Sequence, residues 1–136
     1  MLVKDIMSSP VIGVTGDATI EEAAALMLGR GFTTVPVFAG SGALIGLLTE
    51  ADLGRARFTV GRTEDGPDQG AMTGVTARLV RQVMRPSTIT VPAGADLAEL
   101  ATIMVETHLR CVPVVDGDHV VGIVSWRDLL INLHPR

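Results

Sequence analysis

The chain has 136 residues, 11 basic and 15 acidic side chains, a formal net charge of −4, and 47% hydrophobic but only 3% aromatic content. Its acids and bases are interspersed and its aromatic residues few, which excludes a basic field for a phosphate backbone and a stacking platform for single strands, so no nucleic acid is expected. Charge interrupts every apolar run well before the roughly 18 residues of a membrane span, so no membrane is expected either, and the apolar surplus predicts contact with another chain, a homodimer.

The opening Met1-Leu2-Val3-Lys4-Asp5 lacks the basic segment and apolar run of a signal peptide. The single cysteine, Cys111, has no partner for an intramolecular disulfide, and both features predict a cytoplasmic protein. Cys111 lies in an apolar run and is expected to pack as a small hydrophobe. After the segment Val3 to Pro10, Val11-Ile12-Gly13-Val14 predicts a short strand. Thr19 followed by Glu22 has the form of a capping box, and Ile20, Ala23, Ala24 and Met27 recur at helical spacing, predicting a helix that ends near Gly31. Val35-Pro36-Val37-Phe38 and Leu44 to Leu48 then read as two strands joined by a turn at Gly40-Ser41-Gly42. Pro36, like Pro113 further along the chain, predicts a strand start or edge, not a central rung. A second helix is expected from Glu50 to about Arg55.

Residues from about Arg55 to Gly74 show no periodicity and read as a linker. Its Arg55, Arg57 and Arg62 could reach a ligand phosphate or simply form a solvated charged loop with Glu64, Asp65 and Asp68.

From residue 80 the same order returns. An offset of 77 relates Met7 to Met84, Glu22 to Glu99, Met27 to Met104 and Pro36 to Pro113, and an offset of 76 relates Gly46 to Gly122 and Asp52 to Asp128. The lost residue falls at the hairpin turn, where a structural repeat tolerates it. The second copy predicts a strand at Ile89-Thr90-Val91, a helix capped at Asp96 with Glu99 and carrying Leu97, Leu100, Ala101 and Met104 inward. That helix ends near His108. Two strands around Val112-Pro113-Val114-Val115 and Val120 to Val124 follow, turning at Asp116-Gly117-Asp118, and then a helix from Trp126 to about Leu133. The predicted fold is α/β (α+β), two β-α-β-β-α units, with boundaries at 1–54, 55–79 for the linker and entry to the second unit, and 80–133.

Two segments carry a family resemblance: Gly46-Leu47-Leu48-Thr49-Glu50-Ala51-Asp52 and Gly122-Ile123-Val124-Ser125-Trp126-Arg127-Asp128. Each runs glycine, two apolar residues, Thr or Ser, two variable residues and aspartate, at a strand end and helix start. With Thr34-Val35-Pro36-Val37, Cys111-Val112-Pro113-Val114 and the Met7 and Met84 segments, the chain resembles the cystathionine beta-synthase (CBS) domain family over residues 3–53 and 80–130. The spacing itself suits two roles. An aspartate at a helix start can accept hydrogen bonds from the vicinal hydroxyls of a ribose. Thr49-x-x-Asp52 and Ser125-x-x-Asp128 also have nearly the form of a capping box.

The resemblance implies a CBS-pair (Bateman) module, its two units packed about a pseudo-twofold axis with clefts that accept adenine nucleotides. AMP, ADP and ATP are the implied regulatory ligands, with S-adenosylmethionine a further candidate, and no catalytic cofactor is implied. By the same resemblance Ser125 and Asp128 hold ribose in one cleft, with Ile123, Ile12 and Thr33 forming the adenine slot. Thr49 and Asp52, with Leu47, Ile89 and Leu109, line the other. Arg110 matches a position where the family places a phosphate-binding basic residue, the alternative being a surface salt bridge. Its counterpart in the first unit is Thr33, so the two clefts are expected to differ in phosphate affinity.

An enzyme is not expected, because no nucleophile with its base, no paired acid and base, and no metal-ligand spacing among His108, His119, His134 and Cys111 assembles. Two functions stay open: a regulatory module that senses an adenine nucleotide and transmits this to an unidentified partner protein, and a structural dimerisation module in which the aspartates are helix caps only.

Overall fold

A computed structural model describes residues 1–58, 78–86 and 89–133. The chain divides into two compact units, one of Gly13–Thr88 and one of Met1–Ile12 with Ile89–Arg136. The division does not follow the repeat. The lead-in of the first copy belongs with the second copy, and the lead-in of the second belongs with the first.

The continuous unit contains β1 (Val14–Thr15), α2 (Ile20–Arg30), β2 (Thr34–Phe38), β3 (Leu44–Thr49), α3 (Glu50–Phe58), the single-turn α4 (Val80–Val83) and β4 (Arg85–Pro86). Its sheet has the order β1-β2-β3-β4, with β1 parallel to β2 and the other pairs antiparallel. The other unit contains α1 (Val3–Ile6), β5 (Val91–Pro92), α5 (Leu97–Thr107), β6 (Cys111–Asp116), β7 (His119–Ser125) and α6 (Trp126–Ile131), with sheet order β5-β6-β7. Ser8 bridges to Ile123 in this unit as β4 does to β3 in the other.

Helix starts follow the sequence. Glu22 N–H donates to Thr19 Oγ1 at 3.0 Å and Thr19 N–H to Glu22 Oε1 at 2.8 Å, and Asp96 and Glu99 exchange the same pair at 2.9 and 3.3 Å. Both helices end in a left-handed residue, Gly31 at φ 71° and His108 at φ 59°. Only glycine adopts that conformation without steric cost, so the histidine ends its helix less favourably.

The two cores use equivalent positions. Ala23, Met27, Val35, Val37, Leu48 and Val80 pack in one, and Leu100, Met104, Val112, Val114, Val124 and Val3 occupy the matching places in the other. Val80 and Val3 are the exchanged contributions. The same exchange explains the motif glycines. A Cβ on Gly46 would meet the Arg85 carbonyl oxygen at 2.5 Å and Met84 Sδ at 3.0 Å, and one on Gly122 would meet Met7 Sδ at 2.6 Å and the Ser8 carbonyl oxygen at 2.8 Å. Each lead-in lies so close over the opposite copy's strand that only a bare Cα fits.

Several expectations are corrected. Pro36 and Pro113 sit mid-strand in the central strands β2 and β6, not at a start or edge. The bond from Glu50 N–H to the Thr33 carbonyl fixes Val35↔Leu48 and Val37↔Gly46 as the hydrogen-bonded pairs by alternation, so the Pro36 nitrogen faces β1. The β1 ladder begins only at Val37, and no rung is lost; Pro113 repeats the arrangement beside β5. For the same reason the leading strands are shorter and later than predicted, Val14–Thr15 and Val91–Pro92. Helix α3 runs to Phe58, placing Arg55 and Arg57 on a helix instead of in a linker, while α6 stops at Ile131. Arg57 pairs with Glu21 at 2.9 Å. Arg62, Glu64, Asp65, Asp68 and His134 lie outside the described residues.

Candidate functional site

In both units the central hairpin delivers a Thr or Ser to the end of its last strand, and the following helix begins at once, so the aspartate three residues on folds back over the strand end. In the continuous unit Thr49 N–H donates to Asp52 Oδ2 at 2.9 Å and Asp52 N–H to Thr49 Oγ1 at 3.1 Å. In the other, Ser125 N–H donates to Asp128 Oδ2 at 2.8 Å, Ser125 Oγ donates to the same oxygen at 3.1 Å, and Asp128 N–H reaches Ser125 Oγ at 3.3 Å. Both are complete capping boxes with aspartate in the place of glutamate.

The surroundings of the two carboxylates differ. Among the described residues Asp52 is the buried charged side chain of its unit, 2% exposed, and its Oδ1 takes the Arg55 guanidinium together with Arg85 Nε at 3.2 Å. Burial pushes the Asp52 carboxyl up, but the Thr49 N–H, the Thr49 hydroxyl and the Arg85 guanidinium outweigh it and hold the group below the ordinary aspartate value. Asp128 is half-buried and has no ion pair among the described residues. All its side-chain bonds there end on Oδ2, leaving Oδ1 with lone pairs directed at no other described group.

The remaining predicted residues fall as follows. Leu47 is buried in β3, opposite Arg85, and Thr33 is exposed where its carbonyl receives Glu50 N–H. Both belong to the Asp52 unit. Ile123 is half-buried in β7, opposite Pro113 and bridged to Ser8, and Arg110 is exposed with its carbonyl accepting from Trp126 N–H at 3.2 Å. Ile12 is half-buried in that unit, and Ile89 and Leu109 pack against its core. The Asp128 unit therefore holds Ile123, Ser125, Asp128, Arg110 and Ile12 together, and the Asp52 unit holds Leu47, Thr49, Asp52 and Thr33. Thr33 belongs to the unit opposite its predicted ribose aspartate, as do Ile89 and Leu109.

Sequence reasoning missed Arg85 as a site residue. The available signal was the charge difference between Arg85 and its counterpart Ser8, directly after the matched methionines Met84 and Met7. Cys111 is half-buried in β6, and Trp126 is half-buried against the core of its unit. No group of three or more His, Cys, Asp or Glu among the described residues is placed to hold a metal ion. No helix among them is long and apolar enough to cross a membrane.

A family model described as CBS domain matches residues 3–58 and again residues 80–135. The CBS domain-containing protein YhcV of Bacillus subtilis is 31% identical over 130 residues, covering 96% of this chain and 84% of that protein. In other relatives the similarity covers only a part: homoserine O-acetyltransferase of Methanocorpusculum labreanum is 27% identical over 133 residues, and the chain spans 24% of its length. Among solved structures, the CBS domain pair of protein MJ0100 in complex with 5′-methylthioadenosine and S-adenosyl-L-methionine superimposes with a TM-score of 0.78 at 27% identity, covering 97% of this chain and 94% of that one. CBSX2, whose structure is a complex with AMP, shares the fold at a TM-score of 0.79 and 23% identity over 96% of this chain and 94% of that one. The duplicated hairpin and helix, with a glycine under each lead-in and an aspartate capping each helix start, are thus those of the CBS-domain family, to which this chain belongs as a pair of such domains.

Proposed function

We propose that the chain is a regulatory module that binds an adenosyl ligand and reports its presence to a partner protein. The observation that carries this reading is Asp128. Its capping box is satisfied through Oδ2 alone, so Oδ1 is available to accept from a ribose hydroxyl without loss of the helix cap. Ser125 lies beside it, and the exposed Arg110 is anchored to the same helix start through its backbone. The ligands of the MJ0100 domain pair, both adenosyl compounds without phosphate, support the ligand class and leave AMP, ADP and ATP as candidates for this chain. Regulation requires the ligand to prefer one arrangement of module and partner over another, since equal affinity shifts no equilibrium.

Calorimetric titration with AMP, ADP, ATP, 5′-methylthioadenosine and S-adenosylmethionine tests the reading. Saturable binding near the micromolar range, about −8 kcal/mol, with 5′-methylthioadenosine or S-adenosylmethionine weakened at least tenfold by Asp128→Ala, is the expected result. Flat titrations with all five would leave the second reading, a dimerisation module. That reading has an observation of its own. Leu28 and Phe58 on α2 and α3 are 79% and 83% exposed, and Val105, Leu130 and Ile131 on α5 and α6 are 60%, 59% and 64% exposed. Helix faces so apolar suit a second copy of the chain, and the homodimer is proposed alongside either function.

A further inference from the structure

On Asp52 the oxygen that the capping box leaves over is already taken twice. Thr49 N–H occupies Oδ2, and the Arg55 and Arg85 guanidinium groups converge on Oδ1. The carboxylate is 1% exposed, whereas the arginine side chains are 54% and 58% exposed. The acid is therefore fixed while the cations sit at its solvent side. Among the described residues the other unit has no such arrangement, because the repeat offsets place Ile131 where Arg55 stands and Ser8 where Arg85 stands.

We infer that Arg85 and Arg55 make the Asp52 half-site selective for phosphorylated adenine ligands, whereas the Asp128 half-site admits adenosyl ligands without phosphate. A neutral nucleoside reaching Asp52 must draw its carboxylate away from two guanidinium groups and offers them nothing in return. A ligand with phosphates supplies replacement acceptors, and a guanidinium binds phosphate oxygens in the same forked geometry that it uses for a carboxylate. The ion pair is then exchanged rather than broken. A ligand carrying a positive sulfonium centre is disfavoured further by like charge.

This inference rests on the adenosyl-binding reading, and the test separates the two. The intact chain carrying Asp128→Ala is titrated with adenosine, AMP, ATP and S-adenosylmethionine, with folding checked by circular dichroism. AMP and ATP are expected to bind at least about tenfold more tightly than adenosine or S-adenosylmethionine. Adding Arg85→Gln is expected to weaken AMP about tenfold and to erase its advantage over adenosine, while Arg85→Lys, which keeps the charge without the fork, gives an intermediate loss. Should Arg85→Gln unfold the chain, Arg85→Lys alone decides the matter, an unchanged AMP affinity overturning the inference. Equal affinity for adenosine and AMP overturns it and leaves the adenosyl reading intact. So does the absence of all binding to the Asp128→Ala chain when the unaltered chain binds. If the unaltered chain binds no adenine ligand, the adenosyl reading fails, and inorganic pyrophosphate becomes the probe. A pyrophosphate-induced rise in melting temperature that Arg85→Gln abolishes still supports an anion site at these arginines, and no rise overturns it.

Discussion

Asp52 and Asp128 occupy the same box at the same point of a duplicated unit, yet the second oxygen of one holds two guanidinium groups and the second oxygen of the other meets no partner among the described residues. The box is local, written in four consecutive residues, and duplication copies it intact. What distinguishes the carboxylates arrives from elsewhere. Arg85 comes from a lead-in 33 residues away in the chain, and Arg55 from the next turn of α3. A repeated motif thus fixes a helix start twice while leaving each copy to acquire its own electrostatics.

The strongest way to test the parallel between the units is through their glycines. Gly46→Ala should destabilise the chain by about 3 kcal/mol, because its Cβ would meet the Arg85 backbone oxygen, which cannot move without dislodging β4. Gly122→Ala should cost somewhat less, since its nearest obstacle is the flexible Met7 thioether and the backbone oxygen it meets, that of Ser8, lies farther off at 2.8 Å. Urea denaturation followed by circular dichroism reads both, and a larger loss for Gly122→Ala would show that the two lead-ins are not held alike.

Next in size are the aspartates themselves. Asp52→Ala removes a cap and the acceptor for two arginines and should cost about 2 kcal/mol, below the usual loss for a broken buried pair because the arginines left behind are solvated. Asp128→Ala removes a cap alone and should cost about 1 kcal/mol. Equal losses would mean that the ion pairs at Asp52 add nothing. The pH dependence sharpens this. With the Asp52 pKa lowered in the folded chain, the unfolded chain takes up the proton first, so the contribution is complete above the ordinary aspartate value of about 3.9 and is lost as pH falls through the folded value. The stability gap between the unaltered chain and Asp52→Ala should accordingly narrow below about pH 4.

The smallest effect separates the two helix ends. His108→Gly should stabilise by about 0.5 to 1 kcal/mol and Gly31→Ala should destabilise by about 1 kcal/mol, both through the left-handed conformation shared by the two positions. A neutral His108→Gly would indicate that the histidine ring makes compensating contacts.

Most of each unit was legible in the sequence because most of it is local. Thr19 with Glu22 and Asp96 with Glu99 announce helix starts, Met27 and Met104 fall on the buried stripe, and Gly42 and Gly117 mark the hairpin turns with positive φ. The capping role of Asp52 and Asp128 was legible for the same reason. What the sequence concealed is non-local. Nothing near Pro36 reveals that its missing donor faces a ladder that starts one residue later. Nothing near Asp52 reveals Arg85, and nothing in the Val3 or Val80 segments says that each completes the core of the other copy.

That exchange of lead-ins bears on how such a chain could arise and be cut. A polypeptide holding one copy alone would carry a lead-in with no strand of its own to cover and a glycine-bearing strand with no lead-in above it. Two such polypeptides could satisfy one another by trading those segments, a domain swap in which the single-copy chain is an obligate pair. Joining the copies in tandem turns that trade into an internal one. The cut that respects the resulting architecture runs through the repeat: residues 13–88 form a continuous piece carrying their own cover, whereas a fragment ending before residue 80 surrenders Val80, Met84 and Arg85 at once.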